Sequence, residues 1–311
     1  MVTRDVYLQP EAPDPVLDDA IVLALVRRHA PRAAGVTEVD ESGGEARAYV
    51  VDGDIILKTQ RPHRLRPRTS LAKEVCFLQQ LRREPNLPVP EVLGYGREGP
   101  IEYLCMTRIP GVAMRRLAPA PEQRIAILRE LGRVLRRIHA TDQQRLIESD
   151  LFPGDRAPAD FARRMREAFE LAVEGIDALP PGAWPLDEPP ESVAARALAA
   201  LPWSDRFVAL HSNPGPEHVF WDPERGGLTG LIDFGDAYIS HPALDLRPWR
   251  DAGDRAALMA GYLDLGEPDT AFGAVLRVSL LLGELMAIAR RRQRPERAAV
   301  NLRALLAELT T

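Results

Sequence analysis

Two stretches in the second half of the chain decide its fold: Val208-Ala-Leu-His211-Ser-Asn213-Pro-Gly-Pro-Glu-His218-Val-Phe220 and Leu228-Thr-Gly-Leu-Ile-Asp233-Phe-Gly-Asp236. Each begins with a short apolar run that predicts a β-strand. The first strand delivers His211 to a rigid loop built on Pro-Gly-Pro, and the second strand ends in Asp233. Polar side chains at strand ends around a tight loop are held in fixed positions, which is typical of a catalytic or binding site.

The region before residue 109 is predicted to be rich in β-structure. Alternating apolar residues and turn signals predict an antiparallel meander of three strands over 35–39, 46–51 and 55–59, followed by two more strands over 92–95 and 103–108. An amphipathic helix is predicted over 70–81, and a leading helix over 14–30 with Asp14 as its N-cap. We therefore expect a small N-terminal lobe, residues 1–108, built on a five-stranded antiparallel sheet.

The chain changes character after Pro110-Gly111. Helical periodicity dominates the rest, and helices are predicted over about 121–139, 158–174, 191–200, 252–264, 268–292 and 296–309. One short β-rich stretch, residues 207–232, interrupts them. The two halves together predict an α+β fold in which the small lobe precedes a larger, mainly helical C-terminal lobe, residues 109–311. A cleft between the lobes is the expected ligand site.

Composition argues against several classes of protein. The 311 residues are 45% hydrophobic and 27% charged, as in a soluble globular protein. The net charge of −5 argues against general nucleic-acid binding, and no run reaches the ~18 apolar residues of a membrane span. The first five residues lack the apolar core of a signal peptide, and the two cysteines are typical of reduced thiols in a cytosol. We expect a cytoplasmic protein that binds neither nucleic acid nor membrane; its oligomeric state is left open.

The two quoted stretches resemble the aminoglycoside phosphotransferase family, which has a protein-kinase-like fold. In that family the loop usually reads His-Gly-Asp-x-x-x-x-Asn, and a strand end reading Ile-Asp-Phe/Trp-Gly follows. Here the loop runs from His211 through Asn213 to His218, and the strand end is Ile232-Asp233-Phe-Gly. The resemblance covers nearly the whole chain. It implies a kinase that uses ATP or GTP with Mg²⁺ to phosphorylate a hydroxyl of a small molecule, such as an aminoglycoside or another antibiotic, and hence a role in antibiotic resistance.

The resemblance also implies roles for single residues. Lys58, on the third strand of the meander, would approach the α- and β-phosphates, and Glu74, on the following helix, would pair with it. Only two of the 40 basic residues are lysines, which is weak support for a need for a compact ammonium at Lys58. Asp233 would hold Mg²⁺, since a hard cation prefers oxygen ligands. His218 stands where the family most often has a metal-binding Asn, and would act on the metal, through water or on a phosphate.

The nucleotide would also contact two segments of the N-terminal lobe. The turn containing Ser42, Gly43 and Gly44 lies between the first two strands, where its backbone N–H groups could cover phosphates. A plain hairpin would have the same sequence signature. The stretch Thr107-Arg108-Ile109 follows the fifth strand and would present backbone groups to adenine, with Met106 lining the pocket.

Asn213 departs from the family pattern at the most important position. It occupies the place of the catalytic Asp, which accepts the proton of the acceptor hydroxyl, but an amide cannot keep a proton at neutral pH. Three explanations stay open: an engineered substitution that traps a substrate complex, a naturally weak enzyme or pseudokinase, or a base supplied elsewhere, with Asp236 as the nearest candidate. The alternative to an active kinase is therefore a non-catalytic nucleotide-binding protein.

Several other polar features are interpreted as structural. His211 is expected to be a buried histidine bonded to the loop backbone, and Asp245 to tie down the loop by accepting backbone N–H bonds. His139 is expected to cap helix carbonyls. The basic segment 61–68 is interpreted as a solvated surface loop. The segment 142–200 carries a net charge of −6, from 12 acidic residues and 6 arginines, which suits a polycationic acceptor or an ordinary solvated surface equally well.

Overall fold

The computed structural model describes residues 7–292 and 295–309, and its N-terminal lobe is an antiparallel sheet of five strands. The strands are β1 (Val36–Asp40), β2 (Ala46–Val51), β3 (Ile55–Gln60), β4 (Val92–Glu98) and β5 (Ile101–Thr107), in the order β1-β2-β3-β5-β4. The predicted meander and the two later strands are confirmed. Alternation along β3 and β5 buries Leu57 and Cys105 on one face and Leu104 and Met106 on the other.

A helix covers each face of this sheet. Helix α1 (Asp19–Arg27) packs on the Leu57 face, and α2 (Leu71–Leu81) shares a core with Leu104 and with the C-terminal lobe. The predicted helix over 14–30 is wrong at its N-terminal end. The N-cap is Asp18, which accepts a 2.8 Å hydrogen bond from the N–H of Ile21. Asp14 is drawn away because its carboxylate neutralises two buried guanidinium groups, those of Arg47 and Arg61.

The C-terminal lobe is mainly helical, as predicted. Its helices are α3 (Pro121–Ala140), α4 (Gln144–Glu148), α5 (Pro158–Asp177), α6 (Pro190–Ala199), α7 (Ala252–Leu263), α8 (Phe272–Ala289) and α9 (Pro295–Glu308). Helices α3 and α7 cross closely at Gly132 and Gly261, where added methyl groups would meet backbone atoms. Helix α8 is, in the described ranges, the one helix long and apolar enough to cross a membrane, but most of it is buried as a core helix.

Short strands at the base of the cleft carry the polar residues. Strands β6 (Val112–Ala113), β8 (Val219–Trp221) and β9 (Leu228–Leu231) form one small sheet, and β7 (Val208–Leu210) pairs with β10 (Tyr238–Ser240) in another. The predicted β-rich stretch is therefore confirmed, although α4, β6 and β10 were not predicted. The loop 211–218 lies beside Asp233, because the N–H of Ile232 donates to the carbonyl of His218 at 3.1 Å.

Candidate active site

The loop between β7 and β8, residues 211–218, is held from below by one buried carboxylate. Asp245 accepts hydrogen bonds of 2.8 Å from the backbone N–H groups of both His211 and Ser212, as the sequence analysis expects. The same carboxylate contacts Nε2 of His139 at 3.0 Å, and Nδ1 of that ring lies 2.9 Å from the hydroxyl of Tyr262. The expectation that His139 caps helix carbonyls is wrong, since both of its ring nitrogens are committed to these side chains.

His211 is a buried neutral imidazole. Its Nε2 donates a 2.8 Å hydrogen bond to the carbonyl of Ile232, and its Nδ1 accepts one of 3.3 Å from the N–H of Asn213. The acceptor role of Nδ1 requires an unprotonated nitrogen. Burial lowers the pKa of His211 to about 4, so the ring stays neutral at physiological pH. His211 joins the loop to the strand that ends at Asp233, as expected of a structural histidine.

The centre of the cleft is an ion cluster of Lys58, Glu74 and Asp233. Nζ of Lys58 lies 2.7 Å from Glu74 Oε2 and 2.6 Å from Asp233 Oδ1. Glu74 is fully buried, and its other oxygen accepts a 3.3 Å hydrogen bond from the N–H of Phe234. Helix α2 can present Glu74 here because Ser70 caps its N-terminus. The predicted lysine–glutamate pair is present, and Asp233 from the other lobe completes it.

The cluster shifts the pKa of its members. Burial alone would lower the pKa of Lys58, but the charges of Asp233 and Glu74 raise it above its usual value. Desolvation in the cleft would raise the pKa of Asp233, but the charge of Lys58 holds it well below its usual range. Burial raises the pKa of Glu74 against the opposing effect of Lys58. Lys58 is therefore a permanent cation, and Asp233 is a permanent anion at physiological pH.

His218 and Asp233 aim two acceptor atoms at one point. Nδ1 of His218 donates to the backbone carbonyl of Asn213 at 2.8 Å, which in the neutral ring leaves a lone pair on Nε2. That Nε2 lies 3.2 Å from Asp233 Oδ2. Asp233 has a left-handed backbone with φ +72°, a strained conformation for a residue with a side chain. Two acceptors this close require a proton or a cation between them.

The spacing of these two atoms fits a divalent cation. Ligands about 2.1 Å from an octahedral Mg²⁺ lie roughly 3 Å apart when they are neighbours, close to the separation of His218 Nε2 and Asp233 Oδ2. Among the described residues there is no cluster of three or more His, Cys, Asp or Glu side chains that could hold a metal ion. A cation here would complete its shell with phosphate oxygens and water, as Mg²⁺ usually does in nucleotide sites.

Asn213 is exposed. Its Oδ1 and Oε2 of Glu217 lie 3.3 and 2.8 Å, respectively, from the position that a Cβ on Gly215 would take. Asp236, the alternative base, has both carboxylate oxygens engaged elsewhere, by the hydroxyl of Thr69 and by Arg66. The structure therefore gives no support to Asp236 as the base, and places Glu217 as the carboxylate beside Asn213.

The turn of Ser42, Gly43 and Gly44, expected to cover phosphates and named here the phosphate turn, is anchored on several sides. Asp40 Oδ1 accepts hydrogen bonds from both the N–H (2.8 Å) and the hydroxyl (2.6 Å) of Ser42, so this N–H is used inside the turn. Arg61 donates to the carbonyls of Glu41 and Gly43. Gly43 has no room for a side chain, since a Cβ there would lie 2.6 Å from the carbonyl oxygen of Ala46. The turn is therefore preorganised.

The basic segment 61–68 is only partly the solvated loop that was expected, since Arg64 and Arg68 are exposed but two other arginines are committed to ion pairs. Arg61 is buried and paired with Asp14, and Arg66 bridges Glu45 at the end of the turn to Asp236 in the C-terminal lobe. The expectation fails because the charges that neutralise these arginines lie far away in sequence. Their guanidinium groups link the turn to both the N-terminal segment and the C-terminal lobe.

The segment expected to contact adenine is largely committed to the sheet. The N–H of Thr107 donates to the carbonyl of Glu91 at 2.9 Å, and the N–H of Arg108 donates to Asp54 at 2.7 Å. The side chains of Met106 and Ile109 are almost completely buried. To a nucleobase, this segment can therefore offer its carbonyl groups and the backbone of Ile109.

Sequence reasoning missed the segment Met114–Leu117, which follows β6. The N–H groups of Met114 and Arg115 donate to the carbonyls of Val219 (2.9 Å) and Pro216 (2.8 Å), at the end of the loop 211–218. Arg115 pairs with Glu217 at 2.9 Å, and Arg116 pairs at 2.8 Å with Asp40, the last residue of β1 before the turn. Nothing in the local pattern marks these arginines, because their partners come from distant parts of the chain.

Comparison with known proteins places this architecture among phosphate-transferring enzymes. Residues 36–276 match the model of the phosphotransferase enzyme family. An aminoglycoside 3'-phosphotransferase of Streptomyces fradiae is 27% identical over 211 residues, which make up 65% of this chain and 68% of that protein. An N-acetylmuramate/N-acetylglucosamine kinase of Caulobacter vibrioides is 34% identical over 88 residues, but the match spans only 24% of that protein and 20% of this chain.

Solved structures share the fold over almost the whole chain. The ternary complex of APH(2")-IIa with streptomycin and ATP has a TM-score of 0.58 at 15% identity and covers 95% of this chain and 97% of its own. The GDP complex of wild-type aminoglycoside 2'-phosphotransferase-IIIa has a TM-score of 0.59 at 15% identity, with 94% and 99% covered. At these identities the likeness establishes the protein-kinase-like α+β fold.

Proposed function

Because this chain belongs to the phosphotransferase enzyme family, we propose that it transfers the terminal phosphoryl group of ATP or GTP to a hydroxyl of a small molecule. The observation that carries the proposal is the Lys58–Glu74–Asp233 cluster at the junction of the lobes. Phosphoryl transfer needs positioning and charge neutralisation more than covalent chemistry. A buried glutamate that aims a lysine at a cleft, opposite a carboxylate beside His218, supplies both.

The nucleotide lies in the cleft between the lobes, whose boundary we place between residues 108 and 109. The turn of Ser42, Gly43 and Gly44 covers the phosphates, with Gly43 and Gly44 supplying the backbone groups that Asp40 does not occupy. The base is enclosed by Met106, Thr107 and Ile109. Lys58 keeps its bonds to Glu74 and Asp233, and its third N–H donates to phosphate oxygens.

Asp233 and His218 are the residues that would hold Mg²⁺. When bound, the ion neutralises charge on the phosphate oxygens. Asp233 contributes Oδ2 because Lys58 occupies Oδ1, and His218 contributes Nε2 because its other nitrogen is bonded to the backbone. Imidazole is a poorer ligand for Mg²⁺ than an amide oxygen, so the carboxylate carries most of the affinity.

Asn213 orients the acceptor hydroxyl but does not keep its proton. Its amide oxygen accepts a hydrogen bond, which positions the hydroxyl for attack. We therefore expect a slow enzyme, and the same observation supports a second candidate function, a pseudokinase that binds nucleotide without transferring phosphate. Retention of Lys58, Glu74 and Asp233 favours the enzyme.

The acceptor is a hydroxylated molecule such as an aminoglycoside or another antibiotic, and we place the protein in the cytoplasm, with a role in antibiotic resistance. Two features support this class. The relatives include proteins named for aminoglycoside phosphorylation, and the segment 142–200 carries a net negative charge that attracts polycations.

A binding screen followed by a transfer assay tests the proposal. Thermal unfolding is measured with ATP, ADP, GTP and GDP, each with and without Mg²⁺, and with a panel of aminoglycosides and other hydroxylated antibiotics. Acceptors that raise the unfolding temperature are then incubated with γ-labelled nucleotide. We expect label on the acceptor. Nucleotide binding without transfer to any acceptor favours the pseudokinase, and absence of nucleotide binding contradicts both functions.

A further inference from the structure

The segment Met114–Leu117 lies between the phosphate turn and the loop 211–218. Its backbone is bonded to the loop at Pro216 and Val219, and the indole of Trp221 donates a 2.9 Å hydrogen bond to the carbonyl of Leu117. On the opposite side, the guanidinium of Arg116 reaches Asp40 Oδ2 at 2.8 Å and the hydroxyl of Ser42 at 3.5 Å. A rigid piece of the C-terminal lobe thus carries a cation to the turn over the nucleotide cleft.

Few cations are available to this cleft. The chain has only two lysines, and Lys73 is buried with its Nζ bonded to the carbonyl of Arg68. Lys58 is shared between Glu74 and Asp233 at the floor of the cleft. Additional positive charge near the terminal phosphate must therefore come from arginine.

Four arginines lie close to the turn or the loop. Arg61 is buried and paired with Asp14, and Arg66 is held between Glu45 and Asp236. Arg115 is directed toward Glu217 on the loop, whereas Arg116 is directed toward the phosphate turn.

We propose that Arg116 binds the terminal phosphoryl group of the nucleotide and stabilises it during transfer. The inference rests on the proposed function and adds a residue to its machinery. Asp40 holds the guanidinium beside Ser42 until a triphosphate enters the cleft. A planar guanidinium suits this task because it can bind two phosphate oxygens at once.

No proton moves to or from Arg116 in the transfer step. The acceptor oxygen forms a bond to the γ-phosphorus as the bond from that phosphorus to the β–γ bridging oxygen breaks. The bridging oxygen keeps the electron pair, and the hydroxyl proton leaves to solvent. Arg116 stays charged throughout, since a guanidinium does not deprotonate in proteins, and offsets negative charge on the non-bridging oxygens.

The test compares binding of nucleoside triphosphates and diphosphates. Affinities for ADP, GDP and the β,γ-imido analogues of ATP and GTP are measured by calorimetry for the wild-type protein, Arg116→Gln, Asp40→Asn and Arg28→Gln. Arg116 is 59% exposed, so its replacement leaves the core intact. Arg28, which is 49% exposed, forms a surface pair with Glu98 at 2.7 Å and is the matched control. Asp40→Asn breaks the same ion pair as Arg116→Gln but keeps Oδ1 as an acceptor for Ser42.

We expect Arg116→Gln to weaken triphosphate-analogue binding by about 10- to 100-fold, the effect of a lost charged hydrogen bond, while diphosphate binding stays within about twofold. Arg28→Gln should not weaken triphosphate binding, and Asp40→Asn, which frees the guanidinium but alters the anchor of Ser42, should weaken it much less than Arg116→Gln does. Equal losses in Arg116→Gln and Asp40→Asn would mean that the ion pair is only structural and would overturn the inference. So would a loss in Arg116→Gln that is the same for diphosphates. Both results leave the proposed function standing, whereas a wild-type protein that binds no nucleotide would overturn both.

Discussion

Nζ of Lys58 lies 2.6 Å from Oδ1 of Asp233, although the two residues are 175 positions apart. Lys58 belongs to β3 of the N-terminal lobe, and Asp233 follows β9 of the C-terminal lobe. The ion pair therefore joins the lobes across the cleft. The two oxygens of the carboxylate have different partners, since Oδ1 faces the lysine and Oδ2 faces His218. Under the proposed function, Lys58 and a metal ion would use different oxygens of the same aspartate.

The different partners of the two carboxylate oxygens predict different nucleotide-binding defects for variants of Lys58 and Asp233. Lys58→Ala should weaken nucleotide affinity whether or not Mg²⁺ is present, because it removes a direct phosphate contact. Asp233→Ala should weaken it mainly in the presence of Mg²⁺, because it removes a metal ligand. Titration calorimetry in EDTA and in Mg²⁺ separates the two. An Asp233→Ala variant with equal losses in both buffers would contradict the metal-ligand role.

The sequence pattern predicted the strands and helices whose limits are set by residues close together in the chain. The strand limits of β2 and β3 and the helix α2 follow from alternation, turn residues and the Ser70 cap. The lysine–glutamate pair followed from the family resemblance, which also placed Asp233 in the same site.

Long-range pairing could not be predicted in this way. Asp14 reads as a helix cap, but it pairs with Arg47 and Arg61, whose burial is decided by the folded lobe. Asp236 reads as a free acid near the catalytic loop, but Thr69 and Arg66 occupy it. An acidic or basic residue in a sequence has many possible partners, and only packing selects among them.

The neutral state of His211 predicts a pH-dependent stability. Its pKa is about 4 in the folded protein, compared with 6.5 in an unfolded chain. The unfolded state therefore binds more protons between these values, and His211 contributes stability above pH 6.5 that is lost as the pH falls toward 4. The loss is about 1.4 kcal/mol per pH unit and about 3 kcal/mol in total.

Denaturant unfolding of the wild-type protein and His211→Gln between pH 7.5 and 4 measures this contribution. The glutamine amide can replace both hydrogen bonds of the ring without titrating. The unfolding free energy of the wild-type protein minus that of the variant should be constant above pH 7. It should fall steadily as the pH drops below 6.5, because only the wild-type protein loses stability there. A difference that does not change with pH would show that the folded protein accommodates a charged His211.

The crossing of α3 and α7 predicts two intolerant glycines. A Cβ on Gly132 would lie 2.1 Å from the carbonyl oxygen of Leu258, and one on Gly261 would lie 1.7 Å from that of Arg129. Backbone atoms cannot move aside locally, so Gly132→Ala or Gly261→Ala must push the helices apart. We expect each to cost about 1–3 kcal/mol or more of unfolding free energy.

Gly273, in the first turn of α8, is the matched control for these substitutions. The atom nearest to an added Cβ there is Nη1 of Arg277, at 3.5 Å, the end of a flexible side chain. Gly273→Ala should be neutral or stabilise the protein by up to about 1 kcal/mol through helix propensity. Thermal unfolding of the three variants gives the comparison, and a Gly261→Ala protein as stable as the wild type would disprove the close approach.

Asn213→Asp is the sharpest test of the proposed chemistry. The side chains are nearly equal in size, and Asn213 is exposed, so the loop held by Asp245 should keep its shape. We expect nucleotide affinity to change little and single-turnover transfer to an acceptor from the screen to rise. General-base assistance is worth about 10²–10⁴ in rate. The gain falls below that range if the transition state is loose, because the attacking oxygen then loses its proton late.

The competing explanation is that Glu217 already serves as the base, since Oε2 of Glu217 and Oδ1 of Asn213 converge on Gly215. Glu217→Gln in the wild-type background separates the two. If Asn213 leaves the enzyme without a base, Glu217→Gln has little effect on transfer and Asn213→Asp raises it. The carboxylate of Glu217 has replaced the family's aspartate if three results are found together. The wild-type protein turns over at an ordinary kinase rate of about 1–100 s⁻¹, Asn213→Asp brings no gain, and Glu217→Gln abolishes transfer. Assays of the same two variants across pH assign the proton acceptor. Glu217→Gln removes the acid limb of the rate profile if Glu217 holds the proton, whereas Asn213→Asp introduces an acid limb if the new aspartate holds it.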